Sequence, residues 1–263
     1  GQVLEFRPAL SSHDLLFVSQ AAYYQEGKAI KGGIPVCWPW FGSDPEGRGR
    51  GAHGFVRNRL WTVVATEARN AGDTRLTLAL ADNAETRAIW PHAFNLALEI
   101  SVAETLTLDL VTRNTDHQPF AVTQALHTYF NVGDIGRVSV LGLEDTAYLD
   151  KAGDGGQKVQ SGPVTIAAEV DRIYTDVQAQ LSIVDPALQR RILIASAGSK
   201  TAVVWNPWAA IAAQMADLED QDYRRFLCVE TANAADDIIQ VAADSEFRLQ
   251  ASYRIERQAD KAG

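Results

Sequence analysis

Apolar and polar residues alternate with a period of two through most of the chain, the pattern of strands that bury one face and not of helices. Leu76, Leu78 and Leu80 alternate with Arg75, Thr77 and Ala79. Leu96, Leu98, Ile100 and Val102 repeat the pattern, and Leu106, Leu108 and Leu110 take it up after Ala103-Glu104. So short a connector predicts an antiparallel hairpin. Near the end, Phe247, Leu249, Ala251, Tyr253 and Ile255 line one side of a strand whose other side, Arg248, Gln250, Ser252 and Arg254, is wet. Turn-forming clusters punctuate the chain at Asn70-Ala71-Gly72-Asp73, Asn114-Thr115-Asp116, Gly153-Asp154-Gly155-Gly156 and Ala197-Gly198-Ser199-Lys200. Many short strands between such turns predict an all-β sandwich or barrel of antiparallel sheets. Helical signals are confined to residues 85–89 and to a short helix or irregular turn within 209–225. No repeat or linker divides the chain, so one domain over residues 1–263 is expected.

Composition narrows the partners. With 263 residues and 46% apolar content the chain has material for a substantial core. A formal net charge of −9 argues against a nucleic-acid or anionic-membrane surface, which needs clustered cations. Any phosphate must therefore be met by a few local basic residues. Cys37 and Cys228 are too few for a disulfide framework and lack metal-site spacing; as small buried hydrophobes they fit a reducing cytoplasm. No run approaches the ~18 apolar residues of a membrane span. A monomer is the default expectation. The chain opens on Gly1-Gln2-Val3-Leu4-Glu5-Phe6 without an initiator Met, as though entered partway through a strand.

Four regions do not read as scaffold. Lys31 to Gly42 (KGGIPVCWPWFG) carries two prolines, three glycines and two tryptophans, which break a ladder and shape a loop. Aromatic faces such as Trp38 suit the C–H face of a sugar ring, although Trp38, Trp40 and Phe41 could equally plug one end of the sandwich. In Gly51-Ala52-His53-Gly54-Phe55-Val56-Arg57-Asn58, Arg57 could grip a phosphate through its planar fork and His53 could donate to a hydroxyl. Arg59, two residues on, is expected to share a strand face with Arg57. His127, in Gln124-Ala125-Leu126-His127-Thr128-Tyr129-Phe130, lies where a strand should run out toward Asn131-Val132-Gly133-Asp134, and its side chain exchanges protons near neutral pH. Lastly, Val203-Val204-Trp205-Asn206-Pro207-Trp208 is followed by Phe226-Leu227-Cys228-Val229, an apolar run that ends on Glu230. A carboxylate at the end of a buried strand is costly unless paired or used, so Glu230 is the most suspicious acid in the chain.

Together these stretches resemble the aldose 1-epimerase superfamily, in particular its hexose-6-phosphate mutarotase branch. The resemblance is carried by KGGIPVCWPWFG at 31–42, AHGFVRN at 52–58, LHTYFNVGDI at 126–135, DRIY at 171–174, VVWNPW at 203–208 and FLCVETA at 226–232. It implies a galactose mutarotase-like β-supersandwich in which Gly1 starts inside an early strand. It also implies interconversion of the α and β anomers of a hexose 6-phosphate without a cofactor. His127 and Glu230 are the implied catalytic pair, Arg57 the implied phosphate ligand and Asp171 an implied substrate ligand, with a turn or cap role for Asp171 left open. Lys31 stands where relatives carry an arginine, so a point charge replaces a bidentate fork. Ala52 stands where some relatives carry a glutamine.

Reversible ring opening needs one group to take the O1 proton and another to give a proton to O5. Glu230 as base and His127 as acid supply that pair, which calls for an ionised carboxylate beside an imidazolium. Rival readings are a non-catalytic carbohydrate-binding sandwich, a mutarotase of unphosphorylated aldoses, and a glycoside hydrolase. The last usually needs two carboxylates, whereas here the partner of Glu230 is a histidine.

Overall fold

The alternating runs form strands, and two antiparallel sheets account for most of them in the computed structural model, which describes residues 1–9, 11–69 and 72–257. In the nine-stranded sheet Phe94–Val102 and Leu106–Asn114 are the expected hairpin, with Leu98 opposite Leu110 and Ile100 opposite Leu108. Glu246–Arg257 pairs with Leu106–Asn114 and buries Leu249, Ala251, Tyr253 and Ile255, while Phe247 is half-buried. Val102, at the end of its strand, is exposed and does not join the buried row. Leu76, Leu78 and Leu80 sit in Thr74–Ala81 and are only partly covered, because Thr62–Ala68 beyond them forms the sheet edge. The turn expected at Asn70-Ala71 lies outside the described residues.

The eight-stranded sheet runs in the order Val36–Cys37, Gln124–Leu126, Phe226–Asn233, Thr201–Asn206, Val170–Thr175, Ala147–Asp150, Gln157–Val159, and Tyr129–Asn131 also pairs with Phe226–Asn233. All eight residues of Phe226–Asn233 are buried, so this strand is covered on both faces and cannot show a one-faced alternation. Odd and even positions go to different places. Tyr174, Ala202, Val204 and Val229 join the main core, and Ile173, Val203 and Ala232 join a smaller cluster with Cys37 and Ala125 on the opposite face. Both cysteines are free and buried.

Helix is sparse. Ala84–Ile89 starts at Asn83, whose side chain accepts from the Thr86 backbone N–H while Thr86 Oγ1 accepts from the Asn83 N–H, a reciprocal cap. The 209–225 stretch resolves into the short helix Trp208–Ala212 and the 3₁₀ turn Asp222–Arg224. Among the described residues no helix is long and apolar enough to cross a membrane.

Candidate active site

Sheet register builds the floor of the site. Leu149 lies opposite Ile173, Ile173 opposite Val203, and Val203 opposite Glu230. Leu126 pairs with Thr231 and Tyr129 with Cys228, so the unbridged position between them, 127, faces Glu230. Leu149, Ile173, Val203 and Glu230, from four strands, thus form one cross-strand row that His127 completes from between two short strand segments. A neighbouring row on the same face holds Asp171, Trp205, Cys228 and Tyr129. Directly opposed residues on one face are within contact reach, and His127 Nε2 is 3.4 Å from Glu230 Oε1.

The backbone positions of both residues are sharpened accordingly. The strand Gln124–Leu126 does run out at His127, but into a break before a second short strand, Tyr129–Asn131, and not directly into the turn; the His127 N–H donates to the Pro35 carbonyl at 3.0 Å. Glu230 is not at a strand end but in the middle of Phe226–Asn233. The next residue along from His127, Thr128, anchors the break through a 2.6 Å hydrogen bond between its hydroxyl and that of Tyr253 in the other sheet.

Two loops close over this floor around a cavity of about 580 Å³. They are laced together: the Phe55 N–H donates to the Trp38 carbonyl at 3.1 Å, the His53 N–H to the Gly42 carbonyl at 2.7 Å, and Trp40 Nε1 to the Gly51 carbonyl at 3.0 Å. Gly54, at φ +69°, passes so close that a Cβ there would lie 1.8 Å from the Trp38 carbonyl oxygen. Lys31, His53 and Arg57 reach the cavity from these loops, and Asp171, His127 and Glu230 reach it from the floor. Trp38 does not. It is fully buried in the core, its Nε1 donating to Thr112 Oγ1 at 3.1 Å and its ring packed on Phe94, Trp90 and Phe55, so the assignment as a sugar platform is corrected to a structural plug. Its neighbour Phe41 faces the cavity instead, held by its N–H to Thr123 Oγ1. Arg57 lies in the 3₁₀ turn Val56–Asn58, so it shares no strand face with Arg59, which ends that turn and pairs with Glu85. Asp171 is inside Val170–Thr175 and caps nothing.

The electrostatics follow burial. Desolvation pushes the Glu230 carboxyl well above its ordinary range, with Asp171 adding to the rise and Arg57 opposing it. Desolvation also holds His127 well below the usual histidine value, and His53, Arg57 and Lys31 lower it further. Burial thus disfavours the charged form of both groups and works against the ion pair expected from the sequence. His127 Nδ1 and Glu230 Oε2 are buried without a hydrogen-bond partner among the described residues. His53, lowered to about 4 by burial and the same two cations, is neutral. Its Nδ1 accepts from the Gly42 N–H at 3.4 Å, which leaves the proton on Nε2 as a donor. Arg57 donates through Nη2 to the Ala52 carbonyl at 3.1 Å, while its Nε is buried and unpartnered. Asp171 is raised by burial and eased by Lys151. Among the described residues no three His, Cys, Asp or Glu side chains converge as metal ligands.

Several cavity residues went unread in the sequence. Val203 and Trp205 alternate within a motif already singled out, and Ile173 lies two residues beyond Asp171, so spacing by two was the available signal. Tyr129, two residues beyond His127, stacks on its ring at 4.8 Å and 10°. Lys151 and Met215 come from loops with no such signal.

The fold is a two-sheet β-sandwich of the mutarotase type, and on one row of it a histidine faces a glutamate. The family model for aldose 1-epimerase matches residues 1–254, and the chain belongs to that family. An Escherichia coli K12 protein provisionally named glucose-6-phosphate 1-epimerase is 38% identical over 256 residues, 97% of this chain and 84% of the relative. A Cenchrus ciliaris protein with the same provisional name is 35% identical, over 94% of this chain and 77% of its own length. Among solved structures, a provisionally assigned mutarotase from Salmonella typhimurium superposes with a TM-score of 0.91 at 34% identity, covering 97% of this chain and 84% of that one. A galactose mutarotase-like protein from Clostridium acetobutylicum shares the fold at 15% identity, with a TM-score of 0.67 over 86% and 79% of the two chains.

Proposed function

We propose that this protein interconverts the α and β anomers of a hexose 6-phosphate, with Glu230 and His127 moving the protons. The reading rests on one observation above all: the 3.4 Å approach of His127 Nε2 to Glu230 Oε1, each side chain keeping a second buried polar atom unsatisfied in the cavity wall. The sugar ring lies with a C–H face over Val203 and Trp205, its anomeric centre at the Glu230–His127 end. His53 and Asp171 take hydroxyls. Arg57 and Lys31 take the phosphate.

The acid–imidazole pair and the carboxylate–imidazolium pair contain the same single proton, so burial changes where it rests and not whether it is present. Arg57 and Lys31 lower the basicity of His127. Arg57 also favours the ionised form of Glu230, so a phosphate bound to the two cations raises the proton affinity of both members of the pair, and the form that reacts is the one with the proton on His127. Glu230 then takes the O1 proton as the C1–O5 bond breaks, C1=O1 forms, and His127 delivers its proton to O5. Rotation about C1–C2 and closure with roles reversed returns both protons and yields the other anomer. Each positioned proton-transfer group typically contributes ~10²–10⁴ in rate.

Exchange NMR on glucose 6-phosphate tests the assignment. Glu230→Gln and His127→Asn should each lower exchange by at least ~10² while the circular dichroism spectrum is retained; parental exchange in either folded variant removes the pair from the reaction. Arg57→Ala should raise KM for the phosphorylated sugar far more than for the free sugar, and equal increases would deny Arg57 its phosphate role.

A further inference from the structure

The two cations at the proposed phosphate end are in different electrostatic states. Arg57 forms no ion pair among the described residues, its guanidinium meeting only the Ala52 carbonyl. Lys31 is already compensated: its Nζ lies 3.5 Å from Asp217 Oδ1, in a pair whose side chains are only 17% and 25% exposed, and 4.0 Å from the Met215 sulfur. The ammonium cannot easily leave this arrangement by backbone motion. The Lys31 carbonyl accepts from the Ser19 N–H at 3.1 Å, and Gly32 beside it, at φ +120°, is packed so that a Cβ would lie 2.3 Å from the Phe17 carbonyl oxygen. Asp217 is carried by the 213–221 turn, which the buried Leu218 anchors, and it does not itself line the cavity.

Resting on the mutarotase reading above, we propose that Asp217 sets the charge selectivity of the pocket by acting as the counter-ion of Lys31. Lys31 and Arg57 offer two positive charges, and Asp217 removes one of them. A phosphate, carrying about −1.5 to −2 near neutral pH, must share Lys31 with a fixed carboxylate, whereas a neutral sugar meets no such competition. Asp217 is thus a positioning residue that acts through Lys31 and touches no reacting atom.

The test compares the parent protein with Asp217→Asn and Asp217→Ser, the second serving if the amide disturbs the turn. Inorganic phosphate is titrated by ³¹P NMR, and KM and kcat are measured for glucose 6-phosphate and glucose. Removal of the competing charge should tighten phosphate binding by roughly three- to tenfold and lower KM for the phosphorylated sugar similarly, a partly buried pair being coupled about this strongly. KM for glucose should stay within about twofold, and the gain should vanish in a Lys31→Met background. Unchanged or weaker phosphate binding in a folded variant, or equal shifts in both KM values, overturns the proposal. The phosphate titration needs no turnover, so a parent protein inactive on both sugars would defeat the mutarotase reading and leave this test standing.

Discussion

At the residue scale, Glu230 sets its proposed role as a base against the stability of the fold. Its folded-state acidity is weakened by burial, so its contribution to stability is full below the ordinary carboxylate range and is lost as pH rises toward the elevated value. Glu230→Gln keeps the shape and removes the ionisation. The variant should melt above the parent at pH 8, by roughly 2–4 °C for each kcal/mol recovered in a chain of this size, and the gap should close toward pH 4. Equal melting shifts at both pH values would show that titration of Glu230 is not the cause. His53 works in the opposite direction. Lowered to about 4, it stabilises the fold above its ordinary value of 6.5 and withdraws that support as pH falls between the two. His53→Asn should therefore flatten the acid limb of a melting-versus-pH curve over that interval.

At the scale of elements, Trp38 separates scaffold from ligand. Trp38→Phe breaks the bond to Thr112 and leaves a void, so stability should fall by about 1–3 kcal/mol in urea unfolding with KM unmoved; a selective rise in KM would restore Trp38 to the ligand set. The same loop shows how much was legible beforehand. Strands with one wet face, such as Glu246–Arg257, announced themselves by alternation. Phe226–Asn233, buried throughout, did not, and there the one charged residue was the signal. The roles of Glu230, His127 and Arg57 were approached through residue chemistry and family resemblance. The pairing that brings His127 opposite Glu230 was hidden, because register depends on contacts between segments about a hundred positions apart. The opposing push of burial on both groups was hidden for a related reason: desolvation leaves no local pattern.

Across the whole molecule, Arg190 ties three parts together. It belongs to the nine-stranded sheet, donates to the carbonyl of Asn131 in the other sheet at 2.6 Å and to that of Asp14 in the N-terminal segment at 3.1 Å, and lies 3.7 Å from the Asp185 carboxylate. Breaking a buried pair of this kind costs about 3–5 kcal/mol, so Arg190→Ala should unfold at markedly lower urea while the folded fraction exchanges anomers at the parental kcat. A loss of kcat in the folded fraction would mean that the clamp also shapes the pocket.

The cross-strand row from Leu149 to His127 has a further consequence for how such a protein can diverge. Inserting or deleting one codon in any of these strands would turn its cavity residues into the core and its core residues into the cavity, destroying site and packing at once. Point substitutions at 149, 173, 203 and 205 alter the surface that a sugar would meet and the small apolar cluster beneath it, leaving the main core on the other face in register. Changes of sugar preference in this lineage are thus open to exchanges at alternate positions and closed to changes of strand length. A directed library confined to those four codons would sample that freedom with Glu230 and His127 left in register.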